Sequence, residues 1–560
     1  MQLYVARIIF VYMKQELDIK AIRLGAIPIV DQYLNALSIE SLFQELVPDD
    51  PRDKIPVWKT LGIILRNIIL ERYPLYQISE WALQRNLLSD SQIKSMTDDR
   101  IGRALDRLFR SDRATLLTKL VLKTMSTYDV KVDRLHNDST TISLYGDNYK
   151  KYEDLKAVKP KRGINKDHRP DLKQIIFSLT TSADGAIPLY FKLWDGNTTD
   201  DTTHIRNWNN LRLLVGRADF IYVADSKLCV RETLIYIDTE GGLFITVLPE
   251  TRSEIKRFKN WIQENSPQWH LAIKEPNPRG KDLPERQYWT FDSPFASSEG
   301  FRIVWVKSSL KQMEDEQNRT RRIDATETEL KEIASKKYRN QQKLENAVKT
   351  VLEYYKTNNY FDWKIAVQVE EQYKQDRRGR PGVQSTYRKI ENTYYELVWC
   401  QNSDQILFDS RYDGIFPLIT NLKGDAASIL KSYKFQPRLE KRFEQLKSVY
   451  DIAPVFLQNT GRIEGLLFLY FAAILVTALI ERTVRTTMDK KSIEAVPIYP
   501  EERECKFPTA NKVLELFSDV RLQHIIMSGK IVKTIPDNLS DKQKLLLQLL
   551  DIDVSKFFHR

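Results

Sequence analysis

This 560-residue sequence predicts a mixed α/β protein, with a core sheet that follows an all-helical region and is interrupted by a large insertion. Three observations carry that reading. Residues 20–127 hold helical apolar periods, and from Tyr128 the pattern changes to short β-like runs in the order β-β-β-α-β-α-β. A long, charged stretch then separates those runs from a late helix around Glu440.

The elements follow in order. Trp58 to Glu71 has an apolar helix pattern that breaks before Pro74. Thr97-Asp98-Asp99 offers an N-cap to the next helix. On that helix Arg100, Arg103, Arg107 and Arg110 recur at steps of three and four, opposite Ile101, Leu105 and Leu108. The stripe is either a solvated face or a DNA-contacting one. Tyr128 to Leu144 is the first strand region. Gln174 to Ser182 and Ile187 to Trp194 follow, joined by the turn Ala183-Asp184-Gly185-Ala186. Thr202 to Gly216 reads as a helix, Asp219 to Ala224 as a strand, Leu228 to Asp238 as a helix and Leu243 to Leu248 as a strand. This is the element order of a ribonuclease H-like fold, in which carboxylates gather at one end of the sheet.

The remainder divides less sharply. Lys256 to Lys307 is mixed. Ser308 to Lys356 is a charged helical arm with a sparse stripe of Leu330, Ile333, Leu344, Val348 and Val351. Trp363 to Val369, Tyr394 to Cys400 and Gln405 to Asp409 read as strands. Gly465 to Ile480 is apolar throughout, yet shorter than the roughly 20 residues a bilayer requires, so a buried helix is expected rather than a membrane span. The expected division is 1–127 helical and DNA-binding, 128–255 the first part of the core, 256–424 an insertion, 425–485 the rest of the core, and 486–560 a helical tail.

A net charge of +11 points to a polyanionic partner, most simply nucleic acid. Cys229, Cys400 and Cys505 have neither zinc-ligand nor disulfide-framework spacing, which suits a reducing cytoplasm. Lys14, Glu16 and Asp18 follow a short apolar start, so no signal peptide is expected. No GxxxxGK loop occurs, and no nucleotide cofactor is expected.

Asp138 lies in a β-rich run, Asp225 ends the apolar run Phe220–Ala224, and Glu440 follows Pro437 on a helix. Taken singly, Asp138 could be a sheet-edge aspartate and Asp225 a helix N-cap. Together the three suit a site for two divalent metal ions. Glu444, one turn beyond Glu440, is the rival carboxylate.

These residues resemble the DDE transposases of the IS4-like group, most closely the IS1634-type. The resemblance runs along most of the chain. It is carried by Leu24 to Arg72, Asp99 to Asp106, Gly163 to Gln174, Val223-Ala224-Asp225-Ser226, Tyr412 to Phe416 with Thr420-Asn421, and Gly461 to Gly465. The group's Tyr-x2-Arg-x3-Glu-x6-Lys signature is kept at Tyr433, Glu440 and Lys447, but Gln436 stands at the arginine position, with Arg438 two residues on. The resemblance implies a catalytic triad of Asp138, Asp225 and Glu440 holding two Mg²⁺ ions, for which Mn²⁺ substitutes. It implies cleavage at the ends of a prokaryotic insertion sequence, strand transfer into target DNA, and at least a dimer on double-stranded DNA. Tyr433, Arg438 and Lys447 are expected to contact DNA.

Other expected DNA contacts are Arg100, Arg103 and Arg107, and the cluster of Lys156, Lys159, Lys161, Arg162, Lys166, Arg169 and Lys173. Arg378 and Arg380 lie in Arg377-Arg378-Gly379-Arg380-Pro381-Gly382, an AT-hook-like segment. The alternatives are a ribonuclease H-like nuclease that cuts without joining, and a domesticated DNA-binding protein without catalysis.

Overall fold

A computed structural model describes residues 17–146, 149, 157–166, 169–277, 280, 283–452, 457–499, 501–527 and 530–558. The chain divides into two compact units, Met1–Ile245 with Ser432–Arg560, and Thr246–Lys431. The second is longer at both ends than the expected 256–424 insertion.

Among the described residues of the first unit the first element is a strand, β1 (Leu17–Arg23), where helix was expected. Helices follow at Ile27–Ala36, Ile39–Leu46 and Val57–Leu70. The helix Asp98–Arg110 is capped as expected, with the Thr97 hydroxyl accepting from the Arg100 backbone N–H. Another helix, Arg113–Tyr128, runs on to the point where a strand was expected to begin. The sheet strands are β2 (Arg134–Leu144), β3 (Lys173–Ser182), β4 (Pro188–Trp194), β5 (Ile221–Val223) and β6 (Leu243–Val247). Their order in space is β4-β3-β2-β5-β6. β2 pairs antiparallel with β3 and parallel with β5, and β5 is parallel to β6. Gly185, at φ +77°, and Ala186 make the tight turn between β3 and β4.

Alternating side chains of β3 face different helices. Phe177 stacks on Phe191 of β4, and Phe191 stacks on Phe471 at 4.7 Å between ring centroids. On the other face Ser178 accepts from Asn207 of the helix His204–Val215 at 3.1 Å.

The second unit carries β7 (His270–Glu275), β8 (Arg286–Asp292) and β9 (Arg302–Ser308), followed by helices Ser309–Ala334 and Gln341–Tyr354. A long hairpin, β10 (Phe361–Gln375) and β11 (Tyr387–Gln401), packs its root on those helices. Leu330, Ile333, Leu344 and Val348 form the buried stripe, joined by Leu352. Val351 is half-buried at its margin. Gln405 to Asp409, expected as a strand, lies within the helix Ser403–Ser410. The Asn402 side chain caps that helix by accepting from the Gln405 N–H at 3.0 Å. β12 (Ile415–Thr420) pairs with β9. Near the start of this unit, Glu254 accepts from the Ser298 N–H at 2.8 Å and pairs with Arg252, which also holds Glu299 at 2.7 Å.

The chain then returns to the first unit. The helix Thr460–Lys490 has one apolar window that would suit a membrane by length and composition, but 94% of that window is buried inside the protein. Its close approach to Asp98–Arg110 depends on Gly465, where a Cβ would stand 2.8 Å from the Leu105 carbonyl oxygen. Arg462 fastens the same crossing by a two-pronged bond to Asp106, 2.9 Å on each arm. Residues 486–560 are not all helical as expected. β13 (Arg521–Met527) lies between β1 and β14 (Lys530–Pro536) in a three-stranded antiparallel sheet.

Candidate active site

β2 and β5 are adjacent and parallel, with His136 opposite Val223. Asp138 lies two residues beyond His136 within β2, and Asp225 lies two residues beyond Val223, just past the end of β5. Asp138 accepts from the Ser139 N–H at 2.7 Å, and the Lys166 ammonium stands 3.5 Å away. Asp225 accepts from the Lys227 N–H at 3.1 Å, capping the short 3-10 turn Ser226–Leu228. Its plain role as a cap is therefore real, and it coexists with the aspartate's position at the strand end.

Glu440 is exposed on the helix Gln436–Glu444, with Pro437 in the first turn. Gln436 fixes that helix to β2. Its Nε2 donates to the Asn137 carbonyl at 3.1 Å and its Oε1 lies 3.0 Å from His136 Nδ1. A carbonyl only accepts, so the carboxamide must present its nitrogen to Asn137 and its oxygen to His136. His136 Nδ1 therefore carries the proton. Burial pushes the His136 pKa down to about 4, and the ring is neutral. Its Nε2 has no hydrogen-bond partner among the described residues. The Phe435 ring lies 5.0 Å from the imidazole.

Arg442 anchors the other end of the helix. It donates to the carbonyls of Gly185 and Ala186 in the β3–β4 turn at 3.0 and 3.1 Å, and pairs with buried Glu481 at 2.9 Å.

Tyr433 joins the three acids. It is half-buried at the end of the helix Ala426–Tyr433. Burial, then the carboxylates of Asp225, Glu440 and Asp138, push its phenol up to about 12. Oxygen donors of this kind suit a hard divalent ion. Among the described residues no three of His, Cys, Asp and Glu stand close enough to form a ready-made metal cage.

The expected DNA-contacting residues divide. Arg100 is buried and pairs with Asp53 at 2.6 Å, while Arg107 reaches Asp53 at 3.0 Å and Asp50 at 3.1 Å. These two hold the 49–55 loop, which corrects the expectation of one basic stripe. Arg103 is exposed. Lys161 pairs with Asp195 at 3.3 Å, and Arg169 with Asp171 at 2.7 Å. Arg162 donates to the Asp171 carbonyl at 3.3 Å, and Lys173 lies over the Tyr149 ring. Lys156 lies outside the described residues. Arg438 is exposed, with its guanidinium 4.8 Å from the Phe435 ring centre. Lys447 is not on a continuous α-helix with Glu440. Gln445–Val449 is a π-turn, closed by the Tyr450 N–H to the Gln445 carbonyl at 2.9 Å, so a count of 3.6 residues per turn no longer places it on the Glu440 face. Arg378 and Arg380 lie at the tip of the β10–β11 hairpin.

The sequence reading did not single out His136, Asn137 or Arg442. Gln436 was visible only as a departure from the signature.

Residues 19–122 match DUF4277, a domain of unknown function. No curated protein matches the chain. Among solved structures the chain is similar to the cryo-EM structure of a piggyBac transposase synaptic complex with hairpin DNA, at 9% identity and a TM-score of 0.36 over 87% of this chain and 79% of that one. A likeness that low assigns no role to any residue here.

Proposed function

We propose that this protein is a DNA transposase of the DDE kind, and that Asp138, Asp225 and Glu440 are its catalytic acids. The observation that carries the reading is the placement of Asp138 on β2, of Asp225 just past the end of the adjacent β5, and of Glu440 on the helix that Gln436 fastens to β2. That helix comes some 200 residues later in the chain. The strand order β4-β3-β2-β5-β6 supports a ribonuclease H-like core, because its three antiparallel strands are followed by two parallel ones.

The three acids would hold two Mg²⁺ ions, for which Mn²⁺ substitutes; bound there, the metal supplies positive charge at the scissile phosphate and acidifies the attacking oxygen. The remaining work falls to the chain. In the first step a water oxygen bonds to phosphorus and the 3′-oxygen leaves, taking a proton to become a hydroxyl. In the second, that hydroxyl oxygen bonds to a target phosphorus and gives up its proton to solvent, while the target strand's own 3′-oxygen leaves and takes up a proton. Tyr433 stays protonated throughout the neutral range and donates to a phosphate oxygen. Lys166 and Arg438 supply cations for the backbone, as does Lys447. Arg103, on the DUF4277-matching segment, contacts the element's ends. Two ends have to be held together, so the working form is at least a dimer on DNA. The setting is a prokaryotic cytoplasm.

The test is incubation of the full chain with duplexes taken from the flanks of its coding region, with Mg²⁺ or EDTA. Metal-dependent nicking together with a joined product is expected. Nicking without joining would leave the nuclease reading. No nicking in Mg²⁺ or Mn²⁺ would leave a non-catalytic DNA-binding protein.

A further inference from the structure

We propose that the tip of the β10–β11 hairpin is a reader of the minor groove of A·T-rich DNA. This rests only on the DNA-binding part of the reading above, not on catalysis.

The hairpin has two parts. Its root is packed: Phe361 and Leu397 are buried, and Trp363, Ile365, Tyr395 and Trp399 lie against the two charged helices. Beyond Ile365 and Tyr395 the apolar packing stops, and Lys337 makes the last brace, pairing with Glu370 and lying over the Tyr394 ring. Val367, Val369 and Tyr373 are 60%, 54% and 64% exposed. The pairing nevertheless continues in register to Gln375 and Tyr387. Beyond the Lys337 brace the stem runs for five residues, Glu371 to Gln375, roughly 17 Å. A two-stranded ribbon exposed on both faces is marginal on its own and adds nothing to a core. This one is stiffened across the strands by Lys389, which pairs with Glu371 and lies 2.8 Å from Glu391. A projection of that length is suited to delivering its tip to something.

The tip is chemically specific. Asp376 closes the stem through its N–H to the Thr386 carbonyl at 3.0 Å. Gly382 and Ser385 form a compact turn, with the Gly382 N–H donating to Ser385 Oγ at 2.9 Å and the Ser385 N–H to the Gly382 carbonyl at 3.0 Å. Between these fixed points lie Arg377, Arg378, Gly379, Arg380 and Pro381, all exposed. Among the described residues no carboxylate pairs with the three guanidiniums. Asp376 is the only acid in the segment, and Lys374 and Arg388 add positive charge below it.

That pattern fits one groove. A narrow A·T minor groove concentrates negative potential, and its floor offers only acceptors. A G·C pair places an amino group there. Gly379 has φ +151° and open space around its Cβ position, so the backbone between the arginines is thin enough to lie on the groove floor. Pro381 has no N–H to leave unpaired in the groove. A two-stranded ribbon also fits the major groove, but a tip of two or three arginines about one glycine matches the narrow groove better.

The experiment measures binding of the full chain to short A-tract and G·C duplexes by fluorescence anisotropy, in EDTA, over a salt series. The wild type is expected to favour the A-tract about tenfold, and distamycin, a minor-groove ligand, should compete. R378A/R380A should abolish that preference and reduce the log–log salt slope by about 2. R378K/R380K should keep the slope and lose most of the preference, because the planar guanidinium is what the narrow groove accepts. Equal wild-type affinity for the two duplexes, or an unchanged preference in the alanine variant, would overturn the proposal. Because no metal is present, failure of the catalytic reading leaves this result untouched.

Discussion

Gln436 binds the residue before the first acid: its carboxamide nitrogen donates to the Asn137 carbonyl at 3.1 Å, one peptide short of Asp138. The same side chain accepts from His136. The helix that bears Glu440 is thus fastened directly to the strand that bears Asp138. An arginine here would place a cation in a buried site beside an imidazole.

The first prediction concerns this clamp. Q436A should leave the Asn137 carbonyl and the His136 N–H unpaired, at about 1–3 kcal/mol in urea unfolding. Cleavage should fall more than DNA binding. Q436R, which restores the signature, should be no better than Q436A. Wild-type stability and rate in Q436R would show that the position is tolerant and the clamp incidental.

The second concerns the acids. D138N, D225N and E440Q should each lower cleavage by at least about a thousandfold, since each removes a carboxylate needed for charge at the phosphate. Binding of end duplexes in EDTA should persist. E444Q should be mild. Near-normal Mg²⁺-dependent nicking in any of the three would remove that residue from the site.

The third separates the arginines of one helix. R100A should cost about 3 kcal/mol of stability, because Asp53 loses a buried partner. R103A should leave the melting temperature within about a degree and lower the salt slope of end binding by about 1. The reverse pattern would restore the single-stripe reading.

The fourth is a pH effect in the second unit. Burial raises the Glu254 pKa, but bonds from the Arg252 guanidinium and the Ser298 N–H outweigh it and hold the carboxyl down at about 2. The unfolded chain therefore takes up the proton first as pH falls. The stabilisation is complete above the ordinary glutamate range, near 4.3, and is lost as pH approaches 2. E254Q should show a flatter loss of stability over that window, followed by tryptophan fluorescence. Parallel curves for variant and wild type would contradict this.

What the sequence made legible was whatever depends on local pattern. The β-rich context of Asp138 marked a strand, and the apolar run before Asp225 and the proline before Glu440 each marked an element end. The change of pattern after residue 255 marked an insertion, although the second unit begins earlier, at Thr246. Short apolar runs were ambiguous. Ile406-Leu407-Phe408 fits a strand or a helical turn equally, and the Asn402 cap decided it. β13 and β14 were missed although Ile525, Ile526, Ile531, Val532 and Ile535 are strand formers; they pair with each other, and only β13 also takes β1 from the other end of the chain. The arginine stripe failed as well. Periodicity showed that Arg100 and Arg103 share a face, but not that the loop holding Asp50 and Asp53 folds over one side of it.

The pairing of β1 with β13 sets a timetable for biosynthesis. Leu17 meets Met527, so the first strand emerges from the ribosome about 500 residues before its partner. At roughly 5–20 residues per second, the nascent chain carries an unpaired edge for on the order of a minute. The Glu440 helix also waits until the whole second unit has been made. A polypeptide released early can therefore display its DUF4277-matching helices without the last acid.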